Sequence, residues 1–262
     1  MPPSQMSPMD LNAAVVCITG GSSGIGLGLA ENFLNAGSTV IITGRRDGPL
    51  QEAKKKFPKI ETFQGDVSDI ESRKSLVVWL LENFPKLNIL VNNAGIQRRV
   101  TAVKETDDWS ERQAELDINV AAPVHLTHLL TPHFRRQPEA CFMNVTSGLA
   151  FLPTMFAPLY GGTKACMHSF TMASRYAYEK TNIRLVEIAP PAVRTNLGAG
   201  DNRSHDYGEP CDEFCAGVFK RFAAGELEIG YNDSERWRLS SREQQEEEAA
   251  AMTKGMKPPQ FS

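Results

Sequence analysis

The sequence predicts an α/β fold, a doubly wound parallel sheet between two helical layers, built as a single three-layer α/β/α domain. Three observations carry that expectation. Short, continuous apolar runs recur at 14–19, 39–43, 60–64, 89–92, 141–145 and 184–189; strands so uniformly apolar are buried on both faces, as in parallel sheets. Longer segments with helical periodicity, such as 69–83 and 164–180, lie between them and supply the crossovers that parallel strands require. The first run breaks at a glycine-rich turn and passes into a helical pattern that continues to Asn35.

Composition narrows the function. The chain has 262 residues, 41% of them hydrophobic, enough for a sizeable core. Lys plus Arg total 28 against 31 Asp plus Glu, a net charge of −3, so no basic excess suits nucleic acid or an anionic membrane. Five scattered cysteines (Cys17, Cys141, Cys166, Cys211, Cys215), with no Cys-x-x-Cys, fit a reducing compartment. The segment Met1 to Asp10 lacks the basic start and apolar run of a signal peptide, and no apolar stretch approaches the roughly 18 residues of a membrane helix. The reading is a soluble, cytoplasmic protein that handles a small molecule.

Residues 1–12 read as a flexible lead-in, 13–196 as the cofactor-binding catalytic domain, and 197–262 as a substrate loop and helical cap of the same domain. Within the last part, Asn196 to Pro210 is Gly-, Asn- and Asp-rich, as in a long loop. Ser241-Arg-Glu-Gln244 resembles a capping box, Glu246 to Met252 is strongly helix-forming, and Lys254-Gly255 is a stop.

The turn Thr19-Gly20-Gly21-Ser22-Ser23-Gly24-Ile25-Gly26 has the composition a dinucleotide pyrophosphate requires. Residues without a β-carbon let backbone N–H groups at a helix start approach the phosphates, where the helix dipole also favours negative charge. The second strand ends Val40-Ile41-Ile42-Thr43-Gly44-Arg45-Arg46, and Arg45 stands where an NAD site would place an acid. A guanidinium pairs with a 2′-phosphate that an acid would repel, so NADP(H) is expected over NAD(H). Tyr160 and Lys164 lie four residues apart, on one face if the segment is helical, but Tyr176 and Lys180 share that spacing.

Several motifs in order over about residues 14–196 then resemble the classical short-chain dehydrogenase/reductase family, with its Rossmann-type fold. They are Thr19-x-x-x-Gly24-x-Gly26, Asp66-Val67, Asn92-Asn93-Ala94-Gly95, Asn119 in Asp117-Ile118-Asn119-Val120, Ser147 in Asn144-Val145-Thr146-Ser147, and Tyr160 with Lys164. Ser147 precedes Tyr160 by thirteen residues, as in the family, which selects Tyr160 over Tyr176. The turn Ala189-Pro190-Pro191-Ala192-Val193-Arg194-Thr195 has Pro-Pro where the family commonly has Pro-Gly, and in this it is similar to the DltE-like branch. Two further departures are Asn88 for the usual acid opening the fourth strand, and a missing glycine-rich last strand, for which Leu227 to Tyr231 is the candidate.

The expected activity is an NADP(H)-dependent oxidoreductase interconverting a carbonyl and an alcohol. Tyr160 is the proton donor and acceptor; a cationic Lys164 beside an oxidised nicotinamide is expected to lower its pKa. Ser147 positions the carbonyl oxygen and Asn119 holds a relay water behind Lys164. The resemblance implies that Asp66 and Val67 border the adenine, that Asn93 lies under the adenosine ribose, that Lys164 bonds the nicotinamide ribose, and that Val193 and Thr195 meet the carboxamide. It also implies a homodimer or homotetramer, through helices around 108–133 and 158–180.

Ile96, Leu149, Phe151, Pro153, Phe156 and Leu197 outline an apolar wall, so the partner is a small hydrophobic carbonyl or alcohol. Arg98 and Arg99 read as solvated charges, His125, His128 and His133 complete no metal set, and Cys211 with Cys215 reads as packing. Competing readings are a non-catalytic NADP(H) sensor or scaffold, and an imine or activated-alkene reductase using the same residues.

Overall fold

The computed structural model describes residues 5–98, 108–197 and 207–254. The elements run β1 (Val15–Thr19), α1 (Gly24–Asn35), β2 (Thr39–Gly44), α2 (Asp47–Lys56), β3 (Glu61–Gln64), α3 (Ile70–Asn83), β4 (Ile89–Asn92) and α4 (Trp109–Leu116). A π-helical turn (Asp117–Ala121) leads into α5 (Ala122–Phe134), followed by β5 (Ala140–Val145), a 3₁₀ turn (Gly148–Ala150), α6 (Pro158–Tyr178) and β6 (Ile183–Ala189). α7 (Cys211–Ala223), β7 (Glu228–Gly230), α8 (Asp233–Leu239) and α9 (Arg242–Lys254) follow.

All seven strands are parallel, in the order β3-β2-β1-β4-β5-β6-β7. The order reverses between β1 and β4, and the carboxyl ends of strands at such a reversal open a crevice for ligands. Strand alternation sorts the core into two layers. Val16 and Ile18 of β1 pack with Leu29 and Phe33 of α1 and with Phe214 and Val218 of α7. Val15 and Cys17 face the other side, with Leu76 and Leu80 of α3 and Leu126 and Leu130 of α5.

Two of the departures, Asn88 and the last strand, have a structural substitute. Asn88 Oδ1 accepts the Val15 N–H at 2.9 Å, tying the start of β4 to β1 without an acid. The candidate last strand forms as β7 and pairs with β6. Its terminal backbone groups are met by side chains: Gly230 N–H donates to Glu235 at 2.9 Å, and Arg221 donates to Gly230 O at 2.7 Å. The capping box closes reciprocally, with Ser241 N–H to Gln244 Oε1 at 2.9 Å and Gln244 N–H to Ser241 Oγ at 3.3 Å.

The expected lead-in is corrected from residue 5 onward. Met6 N–H donates to Gly225 O, Ser7 O accepts from Arg184, and Met9 is buried, so this stretch is tied to the far end of the sheet. Of the expected loop from Asn196 to Pro210, positions 198–206 lie outside the described residues, as do Arg99 and Gly255. Among the described residues no helix is long and apolar enough to cross a membrane.

Where α6, β6, β7 and α8 meet, Arg175 donates to Leu185 O at 3.0 Å and Leu227 O at 2.8 Å and pairs with Glu228, which also takes Arg238 at 2.9 Å. With 7% of its side chain exposed, Arg175 is the hub of the cluster. Removing it takes the guanidinium donor from the carbonyls of Leu185 and Leu227 and one of two arginine partners from Glu228. Arg175→Met should therefore lower the unfolding free energy by about 2–4 kcal/mol in a urea titration.

Candidate active site

The carboxyl ends of β1, β4, β5 and β6 and the amino ends of α1 and α6 converge on one crevice. On the side of β1, Gly24 adopts φ +53°, which a side chain would strain, and it faces Thr195 across the crevice. A β-carbon at Gly26 would lie 2.5 Å from both Asn93 Nδ2 and Gly20 O, so the turn closes only around a bare backbone. Ser22 and Ile25 are half-buried and Ser23 is exposed. Ser23 makes no side-chain cap, leaving the first-turn N–H groups of α1 without that partner. This cradle fits a pyrophosphate.

The turn is joined to β4 through a buried threonine that sequence reasoning did not single out as a site residue. Thr19 Oγ1 accepts the N–H groups of Asn93 and Ala94, each at 3.0 Å, and Asn93 Nδ2 returns a bond to Thr19 O at 2.9 Å. Asp66 Oδ1 accepts from Ser68 and Val67 O takes Arg73 at 3.0 Å, fixing the turn after β3. Arg45, with 71% of its side chain exposed, reaches Asp66 at 3.9 Å. Val193 bridges to Glu209, and Thr195 Oγ1 accepts the Leu197 N–H at 3.3 Å.

On the other side, Ser147 caps the 3₁₀ turn, its Oγ accepting the Leu149 N–H at 3.1 Å while its O–H remains a donor. Pro158 opens α6, which places Tyr160 in the first turn and Lys164 one turn on. Lys164 Nζ lies 5.6 Å from the Tyr160 ring centroid and donates to Val145 O at 2.8 Å. All three are buried. Tyr176, the competing tyrosine, is 57% exposed, and Lys180 lies beyond the end of α6.

Burial sets the protonation of both groups. It pushes the Tyr160 phenol up to about 12, against the pull of the Ser147 hydroxyl. It brings the Lys164 ammonium down to about 8, with the Glu115 carboxylate opposing. In the protein itself, desolvation of the phenolate outweighs the Ser147 hydrogen bond; the lowering expected of Lys164 applies to the site with an oxidised nicotinamide beside it.

Asn119 sits in the π-helical turn, a local widening that often marks functional sites. Its amide clamps the loop after β4: Oδ1 accepts the Ile96 N–H and Nδ2 donates to Ile96 O, both at 2.9 Å, and to Thr163 Oγ1 at 3.1 Å. Asn119 Oδ1 and Lys164 Nζ both flank Gly95, where a β-carbon would lie 3.3 and 3.6 Å from them. Glu115, buried on α4, accepts the Arg98 N–H at 3.3 Å, and burial raises its pKa. Neither Glu115 nor Thr163 stands out in the sequence, because each acts through a loop or helix brought near by folding.

Ile96, Leu149, Phe151 and Phe156 are half-buried around this side, whereas Pro153 and Leu197 are exposed. Arg98, read as solvated, pairs with Glu111 at 2.9 Å. His133 is engaged by Leu87 O and Gln137, both at 3.0 Å. The Cys215 thiol packs against Gly28, and burial with the Cys211 contact keeps it protonated.

The model of the family described as short chain dehydrogenase matches residues 14–206. The chain belongs to the short-chain dehydrogenase family. Within it, the chain is 47% identical over 189 residues to the oxidoreductase DltE of Bacillus subtilis (strain 168), covering 72% of this chain and 75% of that one, which places it in the DltE-like branch. It is 30% identical over 190 residues to dehydrogenase/reductase SDR family member 4 of Caenorhabditis elegans, covering 70% and 72%. The fold superimposes with a TM-score of 0.75 on 3-ketoacyl-(acyl-carrier-protein) reductase from Brucella melitensis, complexed with NADH, at 26% identity and 84% and 97% coverage. It also superimposes with a TM-score of 0.78 on a short-chain dehydrogenase from Sphingobium yanoikuyae in complex with NADPH, at 22% identity and 95% and 99% coverage. This chain is an oxidoreductase of the short-chain type with the nucleotide-binding fold of the family.

The depressed Lys164 pKa has a consequence for stability. Between pH 8 and the usual lysine value of about 10.4, the folded chain has released a proton that the unfolded chain keeps. The contribution of this group to stability therefore rises with pH through that window, and the Tyr160 phenol acts in the opposite sense only above about pH 10. Urea midpoints compared at about pH 7.5 and 9.5 should show wild type gaining on Lys164→Met. Parallel midpoints would contradict a desolvated Lys164.

Proposed function

We propose that this protein interconverts a ketone or aldehyde and the corresponding alcohol using NADP(H). The observation that carries the proposal is the burial of Ser147, Tyr160 and Lys164 together beside the glycine cradle, with Asn119 behind them. Bound NADP(H) supplies the hydride in reduction and accepts it in oxidation. Gly20, Ser22, Ser23, Gly24, Ile25 and Gly26 would take the pyrophosphate, Asp66, Val67 and Asn93 the adenosine, and Val193 and Thr195 the carboxamide. Arg45 would take the 2′-phosphate: its contact with Asp66 is long and exposed, so a phosphate competes for it readily.

In reduction, the Ser147 O–H donates to the substrate carbonyl oxygen and orients it towards the Tyr160 hydroxyl, which gives up its proton as negative charge develops there. The phenol, raised by burial, keeps that proton at neutral pH until negative charge develops on the substrate oxygen. Lys164 in its charged form steadies the phenolate left behind, and its ammonium would also hold the nicotinamide ribose of a bound cofactor. Asn119 holds the Ile96 wall in place and leads protons towards Lys164 through a water near Gly95. The half-buried Ile96, Leu149, Phe151 and Phe156 favour a small hydrophobic substrate. Exposed Trp109 on α4 and Met172 and Tyr176 on α6 offer an apolar face for a homo-oligomer.

Loss of NADPH absorbance with a panel of aldehydes, alicyclic and aromatic ketones and keto esters tests the reading. Tyr160→Phe should lower turnover by roughly 10²–10⁴-fold while leaving NADPH binding intact. Tight NADPH binding by wild type with no turnover of any compound would instead favour the sensor. In fluorescence titrations, Arg45→Ala should weaken NADPH by about 1–3 kcal/mol and leave NADH nearly unchanged. Equal weakening of both would overturn the role of Arg45.

A further inference from the structure

The sheet-facing side of α6 carries Tyr160, Lys164 and His168 at successive four-residue steps, so a histidine continues the face that holds the acid and the lysine. Beneath it lies Glu187 in the middle of β6. Strand alternation puts Glu187 on the same face as Ile183 and Leu185, in a position where the strand otherwise buries apolar side chains. Its side chain is 1% exposed. A carboxylate so buried is costly unless fully paired, and an apolar residue of similar volume would stabilise the core at least as well.

The pairing is complete on two sides. His168 Nδ1 lies 2.8 Å from Glu187 Oε2 and 3.1 Å from Oε1, and as the partner of a carboxylate it is the donor. Thr146 Oγ1 donates to Oε1 at 2.7 Å. Thr146 is the residue before Ser147. At the other end of the same short segment, the Phe151 ring meets the His168 imidazole edge to face, with centroids 4.7 Å apart and planes at 72°. One histidine thus braces both ends of 146–151: the start through Glu187 and Thr146, the finish through Phe151.

We propose that His168, held by Glu187, is a positioning residue for the reaction: its N–H fixes the Thr146–Ser147 end of the segment, and its ring supports Phe151 on the substrate wall. The proposal rests on the carbonyl-reductase reading. It assigns two separable jobs to one side chain, the donor acting on the orientation of Ser147 and the ring on the fit of bulky substrates.

Two substitutions separate these jobs in the full-length protein. His168→Asn keeps an N–H towards Glu187 and loses the ring, and it should raise KM for a bulky aromatic ketone by about 5–10-fold with kcat within about twofold and a small aliphatic ketone unaffected. His168→Phe keeps a ring against Phe151 and loses the donor, and it should lower kcat by about tenfold on both ketones with KM little changed. Adding Glu187→Gln to His168→Phe removes the unpaired charge and should recover part of kcat; this double variant also reads the donor arm if His168→Phe fails to fold. Variants that shift kcat and KM together, or change only the melting temperature, would overturn the proposal. Calorimetric binding of a bulky aromatic alcohol to the NADP⁺-loaded protein needs no turnover. If wild type reduces no ketone, the reductase reading falls, and His168 is then judged on binding alone: weaker binding by His168→Asn supports its role, and unchanged affinity overturns it.

Discussion

The site depends on how α6 is held against the sheet, because the helix is docked through polar groups. Its buried stripe runs Lys164 to Val145 O, His168 to Glu187, Thr171 to Asn144 and Arg175 to Leu185 O and Leu227 O. Apolar contacts tolerate a helix sliding or turning by a fraction of a residue. A set of directional bonds does not, since any displacement leaves several buried donors and acceptors unmatched at once. The position of Tyr160, two turns from His168, follows from this register. The same polar character extends across the strand ends, where Asn92 bonds Asn144 at 2.9 Å and continues the line towards β4.

The other half of the crevice is tied in chiefly by side-chain bonds to backbone groups. Thr19 gathers the turns after β1 and β4 into one unit, and Asn119 grips both polar groups of Ile96, so the loop after β4 is fixed to the same helix pair that backs Lys164. The π-helical turn matters for this reason. An extra residue in one turn rotates Asn119 out of the ordinary helical repeat and towards the loop. From the opposite side, Trp237 of α8 packs against Gly148 and is itself bonded to Glu248 of α9 at 3.1 Å, so the C-terminal helices support the turn that carries Ser147.

Much of this was legible in the sequence. The apolar runs mark six strands to within a residue or two; for β1, β4, β5 and β6 that pattern follows from burial on both faces, whereas β3, at the sheet edge, is exposed or half-buried. Ser147, Tyr160 and Lys164 are separated by spacings that α6 and the 3₁₀ turn convert directly into proximity. What was hidden is tertiary. Glu187 is a single charge inside an otherwise apolar run, and its meaning appears only once His168 and Thr146 flank it. The directions of the Tyr160 and Lys164 pKa shifts depend on burial, which neighbouring letters do not report. The π-helical turn leaves no periodic signature, and the contact of Met6 with Gly225 joins segments more than two hundred residues apart.

The capped end of β7 bears on how copies of this chain can meet. An outermost strand with free N–H and C=O groups can template a strand from another molecule and let sheets run on from chain to chain. Here Glu235 and Arg221 occupy the N–H and C=O of Gly230, and Gln5 bridges to Glu226 just before the strand. Growth by strand addition is therefore obstructed on that side. The short charged cluster that anchors α8 thus also shields the β7 edge of the sheet from an added strand.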